Sequence, residues 1–152
     1  STMLTLPSVI RRQLMVILKS VLVWLVFIFA ESLNGTARIF WLIPLLGDSL
    51  AHQISFAIGS LLIVTIATLF IGWLEASKFI QLLSIGLAWL LLTVLFEIAL
   101  GRFVLAYSWE QIAADYNLLQ GGLMPIGLVL LVLSPFIATK IRGILPERNI
   151  AN

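Results

Sequence analysis

Two glutamates lie where apolar stretches of this chain end, and each belongs to a short polar cluster. Glu31 stands in FAESLNGTARIF and Glu97 in LFEIALGRF, and in both a glycine follows four residues later and an arginine soon after. Ionisable side chains in such apolar segments are energetically costly and commonly mark ligand or ion sites. We therefore predict a ligand-binding pocket from the polar side chains of these stretches, which are Glu31, Asn34, Arg38, Glu97 and Arg102.

The chemistry of this predicted pocket is electrostatic. Its carboxylates and guanidinium groups suit a ligand with both charge signs or a lipid headgroup, with the glutamates as charge or proton carriers and the arginines as counter-charges. The same residues also fit a structural role, in which salt bridges and caps end two helices and fix their packing. Either role predicts at least one Glu–Arg pair, formed within one stretch or crossed, Glu31 with Arg102 and Glu97 with Arg38.

Three further polar residues are secondary candidates for this site, namely Asp48, His52 and Asp115. The aspartates are more typical of helix caps, and a single histidine near a helix start is more typical of a hydrogen-bonded interfacial residue. One histidine cannot supply both axial ligands of a b-type haem, and a chain without cysteine has no thiolate metal site or iron–sulfur cluster. We predict no metal, no cofactor and no catalytic residue.

The composition is that of an integral membrane protein. The 152 residues are 61% apolar and 11% charged, whereas soluble domains are about 45–50% apolar and about 25% charged. The mean hydropathy is +1.14. A span needs about 20 apolar residues, so the chain has room for about four. The net charge of +2 comes from basic residues at predicted helix ends, which argues against a nucleic-acid partner.

Charges and turn residues divide the chain into four predicted transmembrane helices of an all-α, single four-helix domain, residues 1–152. Their predicted bounds are 13–33, 54–74, 79–100 and 122–139. Seven of the nine basic residues fall on one side and two, Arg38 and Arg102, on the other, so the positive-inside rule places both termini in the cytoplasm. We expect a cytoplasmic tail at 140–152 and a bacterial inner-membrane location.

The first and third connections face outward in this topology, and both contain more than a simple loop. Residues 39–53 begin with an apolar run too short to span and include Pro44 and Gly47, which predicts a re-entrant or interfacial segment. Ser108 and Gln111 have capping-box spacing in the third connection. This spacing predicts a short helix at the outer surface.

The two glutamates also define a weak internal repeat with an offset of 66 residues, which pairs Arg12 with Lys78. Each of these basic residues comes 19 residues before its glutamate, or about 28 Å along a helix. In a bilayer core about 30 Å thick, both glutamates then lie close to the outer interface. The repeat predicts two parallel helical hairpins related by a pseudo-two-fold axis, with Glu31 facing Glu97.

Three kinds of function are consistent with this sequence. The leading hypothesis is a small bundle that binds or transports a charged or amphipathic ligand through an outward-facing Glu/Arg pocket. The second is an accessory or scaffold subunit of a larger membrane complex, and the third, less favoured, is a lipid-modifying enzyme that uses two carboxylates as acid and base. The predicted partners are the lipid bilayer and either further copies of the chain or a larger membrane complex.

Overall fold

Helices dominate the computed structural model, which describes residues 5–76 and 78–144. The α-helices of this part are α1 (Ser8–Ala37), α2 (Ile43–Leu46), α3 (Asp48–Leu74), α4 (Phe79–Ala99), α5 (Trp109–Ala114) and α6 (Met124–Arg142). π-helical turns at Arg38–Leu42 and Leu100–Val104 extend α1 and α4, and a 3₁₀ turn covers Leu118–Gln120. Among the described residues, four helical segments are long and apolar enough to cross a membrane, at Ser8–Leu46, Asp48–Leu74, Phe79–Val104 and Met124–Arg142. The predicted all-α class with four membrane helices is confirmed.

The first helical segment passes straight through the polar stretch, so the predicted helix end at Leu33 is wrong. Asn34 and Gly35 lie inside α1, although a helix often ends at such residues. In a bilayer a broken helix would leave backbone N–H and C=O groups without partners, whereas a continuous helix satisfies them. The re-entrant form of the predicted first connection is wrong for the same reason, because the helix continues to Leu46 and Gly47, at φ 84°, turns the chain into α3. The alternative, an interfacial segment, stays a prediction.

The other predicted boundaries are closer to the structure. Helix α4 agrees with its predicted span to one residue, and α6 is displaced by a few residues towards the C-terminus. Helix α3 begins at Asp48, well before the predicted start, because only Gly47 separates it from the preceding helix. The predicted tail begins inside α6, and its residues 145–152 lie outside the described residues.

The long helices form two antiparallel hairpins, α1 with α3 and α4 with α6, and α3 packs along α6. The Asn34 side chain near the end of α1 bonds to Ser55 near the start of α3. Arg142, which ends α6, donates to the Thr68 carbonyl near the end of α3. We call the end of the bundle where α1 and α4 begin the proximal end, and the opposite end the distal end.

Two tryptophans join α1 to the parallel helix α4. Trp24 Nε1 donates to Thr93 Oγ1 at 3.1 Å, and Trp89 Nε1 donates to the Ser20 backbone oxygen at 2.9 Å. Trp89 is 0% exposed and meets Phe27 edge-on with a centroid distance of 4.8 Å. Because a buried indole N–H needs a partner, these hydrogen bonds fix the rotation of α1 against α4 at the centre of the bundle.

Helices α4 and α6 approach each other closely at Gly86. A Cβ atom at this position would fall within 2.4 Å of the Val132 backbone oxygen. Backbone atoms cannot move aside as a flexible side chain can, so the approach requires glycine. Small residues commonly allow such contacts between membrane helices, where packing rather than water exclusion holds helices together.

We expect Gly86→Ala to separate α4 from α6 and to destabilise the protein by about 1–3 kcal/mol, the usual effect of overpacking. Thermal unfolding in mild detergent, followed by circular dichroism, measures this as a lower Tm. Gly72→Ala is the matched control, because a Cβ there meets no atom within 4 Å. Equal Tm values for the two variants would contradict the close contact.

The short helix predicted in the third connection is present as α5. Ser108 Oγ accepts a hydrogen bond from the Gln111 backbone N–H at 3.2 Å, and Gln111 Oε1 accepts one from the Ser108 N–H at 2.8 Å. This reciprocal pair is the capping box that the spacing predicts. Ile112 then packs against Gly101, so α5 lies against the distal end of α4.

Candidate functional site

A cavity of about 260 Å³ lies at the distal end and is lined by residues of α1, α3, α4 and α6. Four of the five residues predicted for the main site line it, namely Glu31, Asn34, Arg38 and Glu97. Two of the three secondary candidates line it as well, namely His52 and Asp115. Polar side chains from separate parts of the sequence therefore meet in one place.

Glu31 lies against α3 at Gly59, where the absence of a side chain makes room for its carboxylate. A Cβ atom on Gly59 would be 2.8 Å from Glu31 Oε2 and 3.1 Å from Asn34 Nδ2. Glu31 Oε1 is buried and has no hydrogen-bond partner among the described residues. A buried carboxylate oxygen left in this state is costly, so this atom is the most unusual polar group of the cavity.

Asn34 holds α1 to α3 beside that carboxylate. Its Nδ2 donates to the Ser55 backbone oxygen at 2.8 Å, and Ser55 Oγ donates to Asn34 Oδ1 at 3.3 Å. The Asn34 amide and the Glu31 carboxylate both lie against Gly59. One carboxamide therefore fixes the helix contact directly beside the acidic group.

A second group of polar side chains lies around the end of α4 and the end of α5. Glu97 and Asp115 both line the cavity and are exposed at its rim. The nearby Tyr116 has a buried hydroxyl with no partner among the described residues. Burial raises the pKa of Tyr116, and the negative charges of Glu97 and Asp115 raise it further. The phenol is therefore protonated at neutral pH and can donate a hydrogen bond.

Arg38 supplies the guanidinium of the cavity. It lines the same space as Glu31 and Glu97, but among the described residues no arginine nitrogen lies within 4.0 Å of a glutamate oxygen. The predicted Glu–Arg ion pair is therefore wrong. Continuation of α1 through residue 38 is the reason, because Arg38 stays on its helix about two turns beyond Glu31 and does not fold back.

Arg102 does not join the cavity, which corrects its predicted role. Its Nη1 donates to the Tyr107 backbone oxygen at 3.1 Å, and its guanidinium lies 5.1 Å from the centroid of the Trp109 ring. A cation over an aromatic face is a favourable contact. Arg102 therefore holds the connection between α4 and α5 in place.

The predicted helix-capping role is wrong for Asp48, whereas Asp115 occupies the C-cap position of α5. Asp48 is the first residue of α3 and makes no side-chain capping bond, and it does not line the cavity. Its charge still lies favourably in the first turn of the helix. Asp115 follows the C-terminus of α5 and points its charge to the cavity.

No cluster of acidic or histidine residues within 5–76 and 78–144 has the geometry to hold a metal ion. His52 is half-buried at the cavity wall and lies one helical turn before Ser55 on α3. The cavity places separate charges and hydrogen-bonding groups around a small space.

Sequence reasoning missed the apolar and small residues that shape the cavity. Phe27, Phe56, Met124 and Gly127 come from three helices and line the space between the charges. The small-residue spacing of Ser55 and Gly59 was the available signal, and it indicates close helix packing. What the spacing cannot indicate is that a glutamate, rather than another apolar side chain, fills the room next to Gly59.

Both polar stretches end in a π-helical turn, at Arg38–Leu42 and at Leu100–Val104. Such turns are rare and often occur at functional sites, because the inserted residue changes the direction of the side chains around it. The two turns begin at different distances along the chain from Glu31 and Glu97. Both stretches therefore share a backbone feature, but the turns do not show which residues of the two stretches correspond in the predicted repeat.

The fold and the cavity define a four-helix membrane protein with a polar site at one end of its bundle. Searches of protein-family models, curated proteins and solved structures found no match to this chain. The function must therefore be inferred from the chemistry of the site.

We expect Asn34→Ala to lower the stability by about 1 kcal/mol, because interhelical hydrogen bonds in membrane proteins contribute about 0.6 and up to about 1.7 kcal/mol. Thermal unfolding in mild detergent is the measurement. Ser32→Ala is the control, since Ser32 lies on the exposed side of the same helix. A Tm for Asn34→Ala equal to that of the control would show that the α1–α3 contact does not depend on this side chain.

Proposed function

We propose that this protein binds or transports a small charged ligand in the distal cavity, and that the group it recognises is an ammonium. The single observation that supports this most is Glu31 Oε1, a buried carboxylate oxygen with no hydrogen-bond partner among the described residues. A bound ammonium would supply both the missing hydrogen bond and the missing positive charge.

The balance of charge in the cavity favours a cation. Three carboxylates, those of Glu31, Glu97 and Asp115, share the lining with one guanidinium, that of Arg38. An excess of one sign of charge in a cleft attracts ligands of the opposite sign and repels those of the same sign. Arg38 gives the site a place for an anionic group, so a zwitterion with its ammonium towards Glu31 also fits.

The size and the aromatic lining restrict the ligand further. A volume of about 260 Å³ lies just below the range of about 300–1,000 Å³ that is usual for drug-sized ligands. Phe27 and Phe56 contribute ring surface to the lining, and aromatic faces attract ammonium groups. The proposed ligand is therefore a small amine or quaternary ammonium compound.

The proposed direction of access follows from the positive-inside rule. With the proximal end in the cytoplasm, as the basic residues predict, the cavity opens to the outer side of the membrane. Binding from outside is the step that the geometry supports directly.

Thermal-shift measurements with choline, ethanolamine and tetramethylammonium, against butyrate as a matched anion, test this proposal. We expect a saturable rise in Tm with at least one ammonium compound and none with butyrate, since a ligand that binds only the folded state raises stability. We expect Glu31→Gln to weaken that binding by about 30-fold or more, the effect of removing one partner of a buried charge pair.

Glu110→Gln is the control for charge, because Glu110 is exposed on α5 and does not line the cavity. The proposal fails if folded Glu31→Gln and Glu97→Gln proteins bind the ammonium compounds as the unmodified protein does. If no ammonium compound raises the Tm and the chain copurifies in fixed ratio with a larger protein, the scaffold function is supported instead.

Gly59→Ala offers a test that leaves every charge in place. The added Cβ would meet two flexible side-chain ends, Glu31 Oε2 at 2.8 Å and Asn34 Nδ2 at 3.1 Å, so we expect the carboxylate to move and the Asn34 amide to shift by a few tenths of an ångström. The Tm should then fall by no more than in Asn34→Ala, and ammonium binding should weaken. Gly72→Ala is the matched control on the same helix, because a Cβ there would meet no atom within 4 Å and Gly72 does not line the cavity. Equal binding by the two variants would contradict the role given to Glu31.

A further inference from the structure

A second and larger space lies at the proximal end, between α1 and α4. It measures about 730 Å³ and extends inward as far as Trp89. There the Trp89 indole N–H donates to the Ser20 backbone oxygen and holds α1 against α4. We call it the α1–α4 groove. Its side walls lie on the surface of the bundle, since Ile17 is 60% and Ile80 is 63% exposed.

The entrance of the groove is polar and mainly basic. It is formed by Arg12 and Gln13 of α1 and by Glu75, Lys78 and Gln81 around the start of α4. Neither basic side chain lies within ion-pair distance, 4.0 Å, of a carboxylate among the described residues. Two cations at one entrance, without a paired anion, are complementary to a ligand with a negative group.

Beyond its entrance the groove is mainly apolar for about the depth of one leaflet, and the hydroxyls of Ser20 and Ser84 in its wall donate to carbonyls of their own helices. Arg12 to Val21 is about 14 Å of helix rise and Lys78 to Leu92 is about 21 Å, while half of a bilayer core is about 15 Å. Val21, Leu92 and Ala88 line this inner part. Small residues on α4, such as Ala88, leave the width that a chain of methylene groups needs.

We propose that the α1–α4 groove binds one anionic phospholipid, with its phosphate between Arg12 and Lys78 and an acyl chain along α1 and α4. A basic entrance followed by an apolar channel of leaflet depth matches the two parts of such a lipid. Basic pockets between transmembrane helices on the cytoplasmic side are known to bind anionic headgroups, and the positive-inside rule predicts that the proximal end faces the cytoplasm. This site is separate from the distal cavity and does not depend on the function proposed for it.

Native mass spectrometry of the full chain in mild detergent, titrated with phosphatidylglycerol or phosphatidylcholine, tests the proposal. We expect tighter binding of phosphatidylglycerol. Each basic side chain near an anionic lipid surface increases binding about fivefold, so the double variant Arg12→Gln/Lys78→Gln should weaken phosphatidylglycerol binding about 25-fold. Phosphatidylcholine carries the same phosphate but has no net charge, so its binding should weaken much less.

The control for charge is the double variant Arg11→Gln/Lys140→Gln, which removes two cations from the same end of the bundle but outside the groove.

A second variant tests the apolar part of the groove. Ala88→Leu fills the channel and should weaken the binding of both lipids, whereas Ala57→Leu, on an exposed face of α3, should not.

Three results would overturn the proposal. One is equal binding of the two lipids by the unmodified protein, and another is an equal loss of phosphatidylglycerol in the groove and control variants. The third is a dimer in the same spectra that Ala88→Leu abolishes while lipid binding persists. In that case the groove is occupied by a second copy of the chain.

Discussion

The contact between α1 and α3 at Gly59 is the interaction on which the distal site depends. A bilayer places most side chains of a small bundle against lipid, so a carboxylate can be kept inside only where two helices approach closely and leave room for it. Gly59 provides that room, and a Cβ atom there would be 2.8 Å from Glu31 Oε2. The Asn34–Ser55 hydrogen bonds hold the same two helices together one turn further along.

This arrangement explains why a continuous helix is needed through the polar stretch. Glu31 and Asn34 are three residues apart on α1 and therefore face the same side. If the helix ended at Asn34, the Asn34 amide would turn away from Ser55. The Glu31 carboxylate would then lose the helix contact that keeps it against Gly59. The membrane penalty on unpaired backbone groups and the geometry of the site thus favour the same structure.

The two ends of the bundle have different electrostatics. The distal end gathers three carboxylates around one cavity guanidinium, whereas the proximal groove has unpaired cations at its entrance. Between these ends, the apolar core around Trp89 and the α4–α6 contact at Gly86 keep the helices in register. A small membrane protein can in this way present sites of opposite charge on the two sides of one rigid bundle.

The sequence alone was sufficient for the class of fold and for the charged residues of the distal cavity. Long apolar segments predict helices because nothing else spans a bilayer without unpaired backbone groups, and the depth count placed Glu31 and Glu97 at one level. Pairwise contacts could not be predicted in the same way. Arg102 lies over Trp109 instead of near a glutamate, because the path of a connection depends on packing that spacing does not encode.

The packing of Glu31 against Gly59 could not be predicted from the sequence either. Gly59 and Ser55 are recognisable as a small-residue pair, but the rotation of α3 about its own axis decides whether they face α1 or lipid. That rotation depends on the whole set of helix contacts, including the tryptophan hydrogen bonds between α1 and α4. Because the four helices are similarly hydrophobic, the sequence pattern does not determine the rotation of α3.

The most direct test of this account is the reactivity of a cysteine at position 31, because the chain has no native cysteine. Glu31→Cys in membrane vesicles is treated with methanethiosulfonate reagents that carry either a trimethylammonium or a sulfonate group, with Thr36→Cys on the exposed side of α1 as the reference. An anionic, water-accessible cavity predicts that position 31 reacts and prefers the cationic reagent more strongly than position 36 does. No reaction at position 31, or a preference no greater than that at position 36, would contradict the account.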